Sequence, residues 1–467
     1  MNALTVENLS IRHQDQILLE PVSFTVGAGQ CIVVLGESGS GKSLLAQAIL
    51  GLLPHGLAAD GSVILKDQRF DAGDTALRRQ RWGRELGLLP QEPWRALNPT
   101  MRIGDQVAEV HALVRGRPWA EARSTARAAL ADMGLADEYR SLPHRLSGGM
   151  AQRATLAAAR AGGASILIAD EPTKGLDIAL RSRVVDDLKS VMVAGGTLFV
   201  ITHDVQVARD LGGEVIVMRG GQLMERGPGD TLLTAPASAY TRELLAADPA
   251  SWPTAAAPPA HGDMILAATD LAKTYDGKQL FAGLDLSLSR GDRVAFVGAS
   301  GSGKSTLGDI LIGVRKPDRG SVRRGGGLSA LAFQKLHQDP GAAFAPSLSL
   351  ARALNDAVRL HGRKWQDVRQ WMRRLGLSES LLPRKPAALS SGELQRFALL
   401  RILLVRPALI FADEPTSRLD PINQRRALEL LAEVAAEENI ALLLVTHDPD
   451  VARAIAPLRL HLPLTAQ

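Results

Sequence analysis

The chain contains a single cysteine, Cys31, among its 467 residues. One thiol cannot form an internal disulfide, a cysteine-based zinc site or a protein-ligated iron–sulfur cluster. Cysteine usage this low is typical of proteins from a reducing compartment. Disulfide scaffolds and thiolate metal centres are therefore excluded as explanations of what this chain does.

Long apolar runs are absent as well. The longest, Ile32–Leu35 and Ile166–Ala169 among them, fall far short of the roughly 18–20 residues that a membrane-spanning helix needs. Residues 1–10 show no basic segment followed by an apolar run, so no secretory signal is visible. We expect a protein without a membrane span that works in the cytoplasm.

Charge of one sign is not concentrated anywhere in the sequence. The formal net charge is +5, but the arginines are spread over the whole chain. An ordinary solvated surface is therefore favoured over a nucleic-acid-binding surface. With 46% hydrophobic and 22% charged residues, the composition matches soluble globular domains. A chain of 467 residues predicts two or three such domains, at roughly 100–200 residues each.

What the sequence does contain is a long internal repeat. Four motifs occur twice in the same order; the second copy is displaced by 262 positions at the first motif and by 243 or 244 at the others. Two domains of one kind are therefore predicted. The motif pairs are Gly36–Ser43 with Gly298–Ser305, Leu146–Gly149 with Leu389–Gly392, Asp170–Thr173 with Asp413–Thr416, and Thr202–Asp204 with Thr446–Asp448.

Residues 248–262, between the two copies, are rich in proline and alanine and have no helical or strand periodicity. This composition is typical of a semi-extended linker, which at ~3.1 Å per residue reaches ~45 Å. We therefore predict a first domain over residues 1–247, a linker over 248–262 and a second domain over 263–467. A linker of that reach lets the two domains lie face to face.

Three short apolar runs in each copy predict buried strands. Residues 120–133, rich in Ala, Arg and Glu, predict a helix of an inserted subdomain. Alternating strands and helices indicate the α/β class, with a mostly parallel sheet flanked by helices in each domain. The predicted strands are residues 30–35, 165–169 and 197–201 in the first copy and 293–297, 409–412 and 441–445 in the second.

The first motif has the form GxxxxGK[ST], a loop whose glycines let backbone N–H groups converge on phosphate oxygens. Lys42 and Lys304 are expected to neutralise phosphate charge, and Ser43 and Ser305 to ligate Mg²⁺. One such match can be a structural turn, but two matches that each follow a predicted strand indicate nucleotide binding. The other expected phosphate-binding residues are Gly36, Ser38, Gly39 and Gly41 in the first copy and Gly298, Ser300, Gly301, Gly303 and Thr306 in the second.

An Asp-Glu pair ends a predicted strand in each copy, at the sheet edge where open α/β sheets place their ligands. Asp170 and Asp413 are expected to hold Mg²⁺, and Glu171 and Glu414 to orient and activate a water molecule. An isolated Asp-Glu pair is most often a solvated loop. Here the pair lies 23 residues after the serine of the second motif in both copies, and this agreement argues against chance.

The serine of the second motif precedes a helical stretch. Ser147 is therefore predicted to cap a helix over residues 150–161, whose free N–H groups can bind an anion. An isolated Ser-Gly-Gly is more often only a good helix cap. Its meaning depends on the motifs around it.

In this order and spacing the motifs resemble those of the ATP-binding cassette (ABC) ATPases, over nearly the whole chain. The family pattern is phosphate loop, Q-loop glutamine, LSGG signature, Asp-Glu pair, D-loop and switch histidine. The resemblance assigns Gln91 and Gln338 to the Q-loops, among the metal-binding and catalytic residues, with Gln334 a rival for the second. His203 and His447 match the switch histidine. The D-loops match Leu176-Asp177 and Leu419-Asp420.

The family implies head-to-tail pairing of the two domains, in which the phosphate loop of one and the signature helix of the other close over one ATP. Closure on ATP and opening after hydrolysis would be the work-producing cycle. Site one would combine Lys42, Gln91, Asp170, Glu171 and His203 with Ser390 and Gly392. Site two would combine Lys304, Gln338, Asp413, Glu414 and His447 with Ser147, Gly148 and Gly149.

Two departures from the family pattern fall on site one. Ser391 stands where the family has the first glycine of its signature; if that position needs a positive φ, a Cβ costs roughly 1–2 kcal/mol. The aromatic residue that stacks on adenine in the family matches Tyr275 in the second copy but His13 in the first. We therefore expect site two to be the faster ATPase, with site one slower or weaker but still active.

Several segments resemble the peptide and nickel importer ATPases within the family, namely Gln91–Pro99, Pro143–Ser147, Gly227–Pro228 and Ala239–Leu245. The resemblance implies an ATP-hydrolysing subunit of a bacterial importer for peptides, nickel or a similar small solute, with ATP and Mg²⁺ as cofactors. It would be peripheral, on the cytoplasmic face of the inner membrane. Its partners would be two permease chains and a solute-binding protein, and no nucleic acid.

Three alternatives stay open. Soluble tandem ABC proteins that act on ribosomes or nucleic acid usually carry a long, charged helical linker, unlike the Pro/Ala-rich segment here. An accessory ATPase of a multi-subunit enzyme, such as the carbon–phosphorus lyase machinery, would have the same motifs. So would an ATP-gated binding module that does not hydrolyse ATP.

Overall fold

The computed structural model describes residues 2–462, except for residues 177, 257–261, 276, 300 and 418. The chain divides into two compact units, Met1–Leu245 and Ala246–Gln467. Each unit has a mostly parallel main sheet and a separate antiparallel sheet. In the described part of the chain, no helix is both long and apolar enough to cross a membrane.

Strands of the first unit form two sheets, in the orders β10-β9-β3-β8-β7-β6 and β2-β1-β4-β5. The first sheet is parallel except for the β9–β10 pair, and the second is antiparallel throughout. The strands are β1 (Asn2–His13), β2 (Gln16–Gly27), β3 (Cys31–Gly36), β4 (Leu57–Leu65), β5 (Gln68–Asp71), β6 (Leu86–Leu89), β7 (Ile166–Asp170), β8 (Thr197–Thr202), β9 (Glu214–Arg219) and β10 (Gln222–Pro228).

Helices of the first unit follow the strands in α/β alternation, with an insertion between β6 and β7. In that insertion α4 and α5 pack on each other and on α6, which forms the helical subdomain. The helices are α1 (Lys42–Leu50), α2 (Thr75–Arg79), α3 (Pro93–Ala96), α4 (Ile103–Leu113), α5 (Trp119–Asp132), α6 (Gly148–Ala161), α7 (Ile178–Val193), α8 (Val205–Leu211), α9 (Gly229–Leu232) and α10 (Ala239–Ala246).

The second unit repeats this plan in a shorter form. In the part described, its main sheet has the order β15-β16-β17-β13-β18, with parallel neighbours, and its antiparallel sheet has the order β12-β11-β14. The strands are β11 (Met264–Tyr275), β12 (Lys278–Ser289), β13 (Arg293–Gly298), β14 (Arg319–Arg324), β15 (Phe333–Leu336), β16 (Leu409–Asp413), β17 (Ala441–Val445) and β18 (Leu458–Leu462). The helices are α11 (Lys304–Leu311), α12 (Leu350–Leu360), α13 (Trp365–Arg374), α14 (Ser391–Leu403), α15 (Pro421–Glu437) and α16 (Pro449–Ile455).

The main-sheet strands are apolar because helices or the antiparallel sheet cover both of their faces. In the first unit one core combines side chains of both sheets, and the rings of Phe24 and Phe199 stack at 5.6 Å across it. Cys31 is buried in β3, and burial raises the pKa of its thiol to about 12. A thiol with so high a pKa is an inert core side chain.

The structure confirms the α/β class and the six predicted strands, each within one residue at either end. The predicted helix at residues 120–133 corresponds to α5. The antiparallel sheets were not predicted, because their strands have mixed polarity; β1, for example, alternates buried and exposed positions irregularly around its bulges.

The segment predicted as a linker is partly attached to the second unit. Trp252 is only 6% exposed and belongs to the core of that unit. Arg453 of α16 donates hydrogen bonds to the carbonyl oxygens of Trp252 at 2.8 Å and Pro249 at 3.2 Å, and the Ala255 amide donates to the Arg453 carbonyl. Residues 249–255 therefore form a strap on α16, while 257–261 lie outside the described residues. The predicted boundaries at 247 and 262 stay a proposal.

Candidate nucleotide sites

The first GxxxxGK[ST] motif is the turn between β3 and α1, as a phosphate-binding loop requires. A Cβ at Gly36 would lie 2.2 Å from the Met218 carbonyl oxygen, so only glycine fits there. The Lys42 ammonium donates hydrogen bonds to the carbonyl oxygens of Gly36 at 2.8 Å and Glu37 at 2.7 Å. These bonds hold the lysine over the loop, at the N-terminus of α1, where backbone N–H groups and the helix dipole favour a phosphate.

The second motif has the same geometry between β13 and α11. A Cβ at Gly298 would lie 2.1 Å from the Leu462 carbonyl oxygen. The Lys304 ammonium donates to the carbonyl oxygens of Gly298 at 2.7 Å and Ala299 at 2.8 Å. Ser300, a predicted phosphate ligand, lies outside the described residues.

A serine and an aspartate meet in each unit where Mg²⁺ is expected. Ser43 Oγ donates to Asp170 Oδ1 at 3.3 Å, and Ser305 Oγ donates to Asp413 Oδ1 at 2.7 Å. Hydroxyl and carboxylate oxygens are the ligands that Mg²⁺ prefers, and it needs few of them from the protein when phosphates supply the rest. The donor set therefore fits Mg²⁺ in both units. Burial raises the pKa of Asp170.

The two predicted catalytic glutamates follow the strands β7 and β16 in a strained backbone conformation. Glu171 has a φ of 50° and Glu414 a φ of 44°, both in the left-handed region. Their amides are held by the Ile201 carbonyl at 2.8 Å and the Val445 carbonyl at 3.1 Å. Such strain costs of order 1–3 kcal/mol and persists where the surrounding structure enforces it, often at functional sites.

In the first unit the glutamate pairs directly with the switch histidine. His203 Nδ1 lies 2.8 Å from a carboxylate oxygen of Glu171. Burial alone would raise the pKa of Glu171, but the charge and hydrogen bond of His203 outweigh it and lower that pKa. Burial alone would lower the pKa of His203, but Glu171 raises it in the same way. The two groups thus stabilise each other as an ion pair.

In the second unit the glutamate is shared between two partners. Gln338 Nε2 donates to Glu414 Oε2 at 3.1 Å and to Ser417 Oγ at 3.3 Å. His447 Nδ1 lies farther from Glu414, at 3.7 Å, which is beyond normal hydrogen-bond length. The contact with His447 still lowers the pKa of Glu414, and that with Glu414 raises the pKa of His447.

The two Q-loop glutamines are placed differently. Gln338 lies beside Glu414, whereas its rival Gln334 lies within β15 and donates to the Leu331 carbonyl. Gln91 of the first unit is exposed and makes no hydrogen bond with the residues that the structure describes. The structure therefore brings the Q-loop to the glutamate in one unit only.

Both signature serines cap helices. Ser147 Oγ accepts from the Met150 amide at 3.4 Å at the start of α6, and Ser390 Oγ accepts from the Glu393 amide at 3.3 Å at the start of α14. The strain expected at Ser391 required a positive φ at that position. Ser391 is the first residue of α14, and its φ is not positive. Its counterpart Gly148 has open space around a Cβ, so the expected strain at Ser391 is wrong.

The candidate adenine-stacking residues occupy equivalent hairpin positions. His13 ends β1 and pairs with Gln16, and Tyr275 ends β11 and pairs with Lys278. Both are exposed, Tyr275 at 58%. Either side chain is free to lie against a planar ligand.

Sequence reasoning missed one residue beside the first phosphate loop. Tyr240 of α10 is buried, and its hydroxyl accepts a hydrogen bond from the Glu37 amide at 3.0 Å. Arg219 lies over the Tyr240 ring at 4.8 Å and reaches Glu37 at 3.6 Å. The sequence signal for this residue is the segment Ala239–Leu245, whose family likeness does not reveal the contact with Glu37.

The comparisons with known proteins agree with this geometry. The sequence profile of the family described as "ABC transporter" matches residues 19–174 and 281–417. The chain is 32% identical to the peptidoglycan transport ATP-binding protein YejF of Agrobacterium fabrum, over 97% of this chain and 89% of the relative. It is 30% identical to the glutathione import ATP-binding protein GsiA of Escherichia coli K12, over 97% of this chain and 84% of the relative.

Solved structures of similar fold include an archaeal ribosome recycling factor, aABCE1, bound to the ribosomal stalk protein aP1. It superimposes with a TM-score of 0.67 at 18% identity, over 95% of this chain and 85% of that one. An RNase-L inhibitor gives 0.66 at 17% identity, over 97% of this chain and 87% of that one. At this identity the likeness shows a shared fold and no more.

Proposed function

The chain belongs to the ABC transporter family as two ATP-binding domains in one polypeptide, and on this premise we propose that it energises an importer of small solutes. The family hydrolyses ATP with Mg²⁺. The observation that carries the import role is similarity along 97% of the chain to proteins named for peptidoglycan transport and glutathione import. A likeness of that extent covers both domains and the segment between them.

We use the term half-site for the phosphate loop, Q-loop glutamine, Asp-Glu pair and histidine of one unit. The geometry supports a separate role for each of these groups. Lys42 or Lys304 would hold the phosphates against the loop. Bound Mg²⁺ would neutralise charge on the phosphate oxygens. Glu171 or Glu414 would orient the attacking water, since each carboxylate has a lowered pKa and is ionised at neutral pH.

The switch histidines would fix the glutamates in that role. Each histidine has a raised pKa and carries a positive charge beside its carboxylate over a wider pH range than a free histidine. In the second half-site Gln338 would add a further hold on Glu414. A Q-loop that touches the glutamate links water positioning to the segment that leads into the helical subdomain.

The complete sites would be composite, because the signature serines cap helices and do not belong to either half-site. We propose head-to-tail pairing, in which Ser390 and Gly392 complete site one and Ser147, Gly148 and Gly149 complete site two. The free N–H groups at a helix N-terminus attract phosphate oxygens, which supports a signature helix closing on ATP. ATP-driven closure would then move the partner subunits.

A peptide-containing solute fits the comparisons better than nickel. Peptidoglycan and glutathione, the solutes named for two relatives, both contain peptide bonds. We therefore favour import of a small peptide-like solute, with two permease chains and a solute-binding protein as partners and a peripheral position at the inner membrane. The exposed Trp94, 55% accessible on α3 just after Gln91, is a suitable contact for a permease helix.

The proposal is tested by purifying tagged Glu414→Gln protein from its host in mild detergent with ATP. This variant should hold the closed, ATP-bound state. Co-purification of two membrane-spanning permease chains is the expected result, and their loss in a Trp94→Ala variant would identify the contact. Recovery of ribosomes, or of a soluble enzyme complex without a membrane subunit, would contradict the import role and leave the ATPase assignment standing.

A further inference from the structure

A largely buried cluster of one lysine and two aspartates lies next to the second half-site. The Lys335 ammonium donates to Asp309 Oδ1 at 2.7 Å and lies 3.1 Å from Asp413 Oδ2. The three side chains are only 13–17% exposed. The other oxygen of Asp413 accepts from Ser305, so both carboxylate oxygens at the expected metal position are engaged.

The first unit has no such cluster at the equivalent positions. In the second unit Lys335 of β15 is the strand partner of Phe411 of β16. In the first unit the same position of the β6–β7 ladder pairs Leu88 with Ile168, so Leu88 is the equivalent of Lys335. Asp309 lies at the place of Gln47, 262 positions earlier. The Gln47 Oε1 atom is buried and has no hydrogen-bond partner in the part of the chain that the structure describes, and Leu88 is apolar. Asp170 thus has no ammonium group beside it from this strand.

Neighbouring differences between the copies accommodate the lysine. The Lys335 ammonium lies 5.0 Å from the centre of the Phe411 ring, a cation–π distance. That ring fits only because residue 308 is glycine: a Cβ there would lie 2.1 Å from the ring. The first copy has Ala46 and Ile168 at these positions. Carboxylate, ring and glycine together form a seat for one ammonium group.

The lysine adds a positive charge where a divalent cation is expected. Charges this close and this little exposed are weakly screened by water and salt. An ammonium 3.1 Å from Asp413 therefore compensates the carboxylate before any metal binds, and it repels a cation held between Ser305 and Asp413. In the first half-site Leu88 stands at the equivalent strand position, and the ammonium groups whose charge acts on Asp170 are those of Lys42 and Lys174.

We propose that Lys335, held by Asp309 and Phe411, is a positioning residue that makes nucleotide binding at the second half-site less dependent on Mg²⁺ than at the first. The inference rests on the proposed placement of Asp413 at the metal. It gives the two sites different divalent-cation requirements within one chain.

The test compares equilibrium binding of a fluorescent ATP analogue in Mg²⁺ and in EDTA, in a Lys42→Ala background that leaves the second phosphate loop intact. The double change Lys335→Leu with Asp309→Gln copies the first unit at these two positions and removes the Asp309 carboxylate together with its ammonium partner. We expect it to raise the ratio of the Kd in EDTA to the Kd in Mg²⁺ by at least about fivefold, the lower end of typical coupling between two bound charges. Lys335→Arg should keep the original ratio.

The reverse change supplies the matched control. Leu88→Lys with Gln47→Asp, Ala46→Gly and Ile168→Phe, in a Lys304→Ala background, should lower the ratio at the first site by a similar factor. Mn²⁺ binding followed by electron paramagnetic resonance gives a readout independent of hydrolysis. Ratios unchanged within about twofold in both the forward and the reverse variant would overturn the proposal, since a typical coupling is larger.

The same assay separates this inference from the site assignment beneath it. Asp413→Asn should lower the Mg²⁺ dependence of binding if Asp413 lies at the metal. If Asp413→Asn lowers the Mg²⁺ dependence but the Lys335 variants leave the Kd ratio unchanged, only the role of Lys335 is rejected. If Asp413→Asn leaves Mg²⁺ dependence unchanged, the placement of Asp413 at the metal fails, and the proposal for Lys335 fails with it.

Discussion

In the first unit the glutamate expected to activate water has one close partner, His203 at 2.8 Å, and its Q-loop glutamine makes no hydrogen bond among the described residues. In the second unit Glu414 lies between Gln338 at 3.1 Å and His447 at 3.7 Å. The backbones at the two glutamates are nearly the same, with φ values of 50° and 44°. Duplication has therefore preserved the strained backbone, while the side chains around it have diverged.

The divergence continues away from the glutamates. The first phosphate loop is held by Tyr240 from the tail of its unit, and the second half-site carries the ammonium of Lys335 beside its aspartate. Each copy has thus acquired one extra contact that the other lacks within the described residues. Two similar motif sets do not imply two similar sites.

The largest expected effect concerns the strap, which distinguishes the second unit from the first. Trp252→Ala should destabilise the second unit by about 3–5 kcal/mol, because a buried aromatic side chain is removed from its core. Hydrogen exchange of α16 peptides measures this. Trp252→Phe is the control. It keeps an aromatic ring and removes an indole N–H that has no hydrogen-bond partner among the described residues, so its cost should be small. Equal exchange in wild type and Trp252→Ala would show that the segment is only a linker.

The phosphate-loop glycines test what the two units share. Gly36→Ala and Gly298→Ala should each cost about 3 kcal/mol, because the new Cβ meets a carbonyl oxygen and packing must shift. ATP-analogue binding to the affected loop should be lost. Gly39→Ala and Gly301→Ala, where a Cβ meets nothing within 4 Å, should cost only about 1–2 kcal/mol from their positive φ. If only one of Gly36→Ala and Gly298→Ala caused a large loss of stability and ATP-analogue binding, the two loops would not share the same geometry.

The histidine pairs predict a difference in pH dependence. The raised pKa of His203 stabilises the folded state fully below pH 6.5, the ordinary pKa of histidine, and this stabilisation is lost as the pH rises through the pKa of His203 in the folded protein. The lowered pKa of Glu171 stabilises the folded state above pH 4.5, the ordinary pKa of glutamate, and this stabilisation is lost as the pH falls through the pKa of Glu171 in the folded protein. The pair is thus most stabilising between these values. His203→Asn should cost about 2 kcal/mol at pH 6 and less at pH 10, by hydrogen exchange of β7.

The matched change in the second unit is His447→Asn. Because its contact with Glu414 is 3.7 Å and Gln338 also holds the carboxylate, the cost should stay below about 1 kcal/mol. Hydrogen exchange of β16 peptides reports this value in the same experiment. Equal costs in the two units, or a cost of His203→Asn that grows with pH, would contradict the comparison.

The smallest effect concerns the two signature helices. Glu393 caps α14 by accepting from the Ser390 amide at 2.9 Å and hydroxyl at 2.8 Å, whereas the first copy has Met150 at this position. A carboxylate at a helix N-terminus opposes an incoming phosphate by about 0.3–1 kcal/mol. With head-to-tail pairing, Glu393→Met should tighten ATP-analogue binding at site one about two- to fivefold in a Lys304→Ala background. Met150→Glu should weaken site two; no change in either would argue against this pairing.

The sequence was sufficient to predict the fold wherever one residue type carries the signal. The apolar runs predicted the buried strands, and the glycine-lysine spacing predicted the strand-to-helix turns that begin at Gly36 and Gly298. The antiparallel sheets were not predicted because their strands mix polar and apolar positions. The strap was not predicted because its Pro/Ala composition is typical of a linker and its attachment depends on tertiary contacts. Its attachment depends on Trp252 and Arg453, which are 201 residues apart.

The motifs supplied the candidate site residues, which stay predictions, and they did not reveal the contacts that depend on packing. Lys335 lies in a short strand whose other residues give no hint of a cation seat, and that seat needs Gly308 and Phe411 as well. A comparison of the two copies would have flagged it as a lysine aligned with Leu88. The strain expected at Ser391 was wrong because a signature motif does not reveal that this residue opens a helix with an ordinary φ.

The central claim is that the two half-sites are unequal, and the expectation that site two is the faster ATPase is still untested. Single-turnover ATP hydrolysis by Glu171→Gln and Glu414→Gln, with saturating Mg²⁺, tests it most directly. Loss of the water-activating glutamate should slow its own site about 10²–10⁴-fold. Glu171→Gln should therefore retain most of the fast phase, while Glu414→Gln should leave only a slow residual rate. Equal residual rates in the two variants would contradict the account.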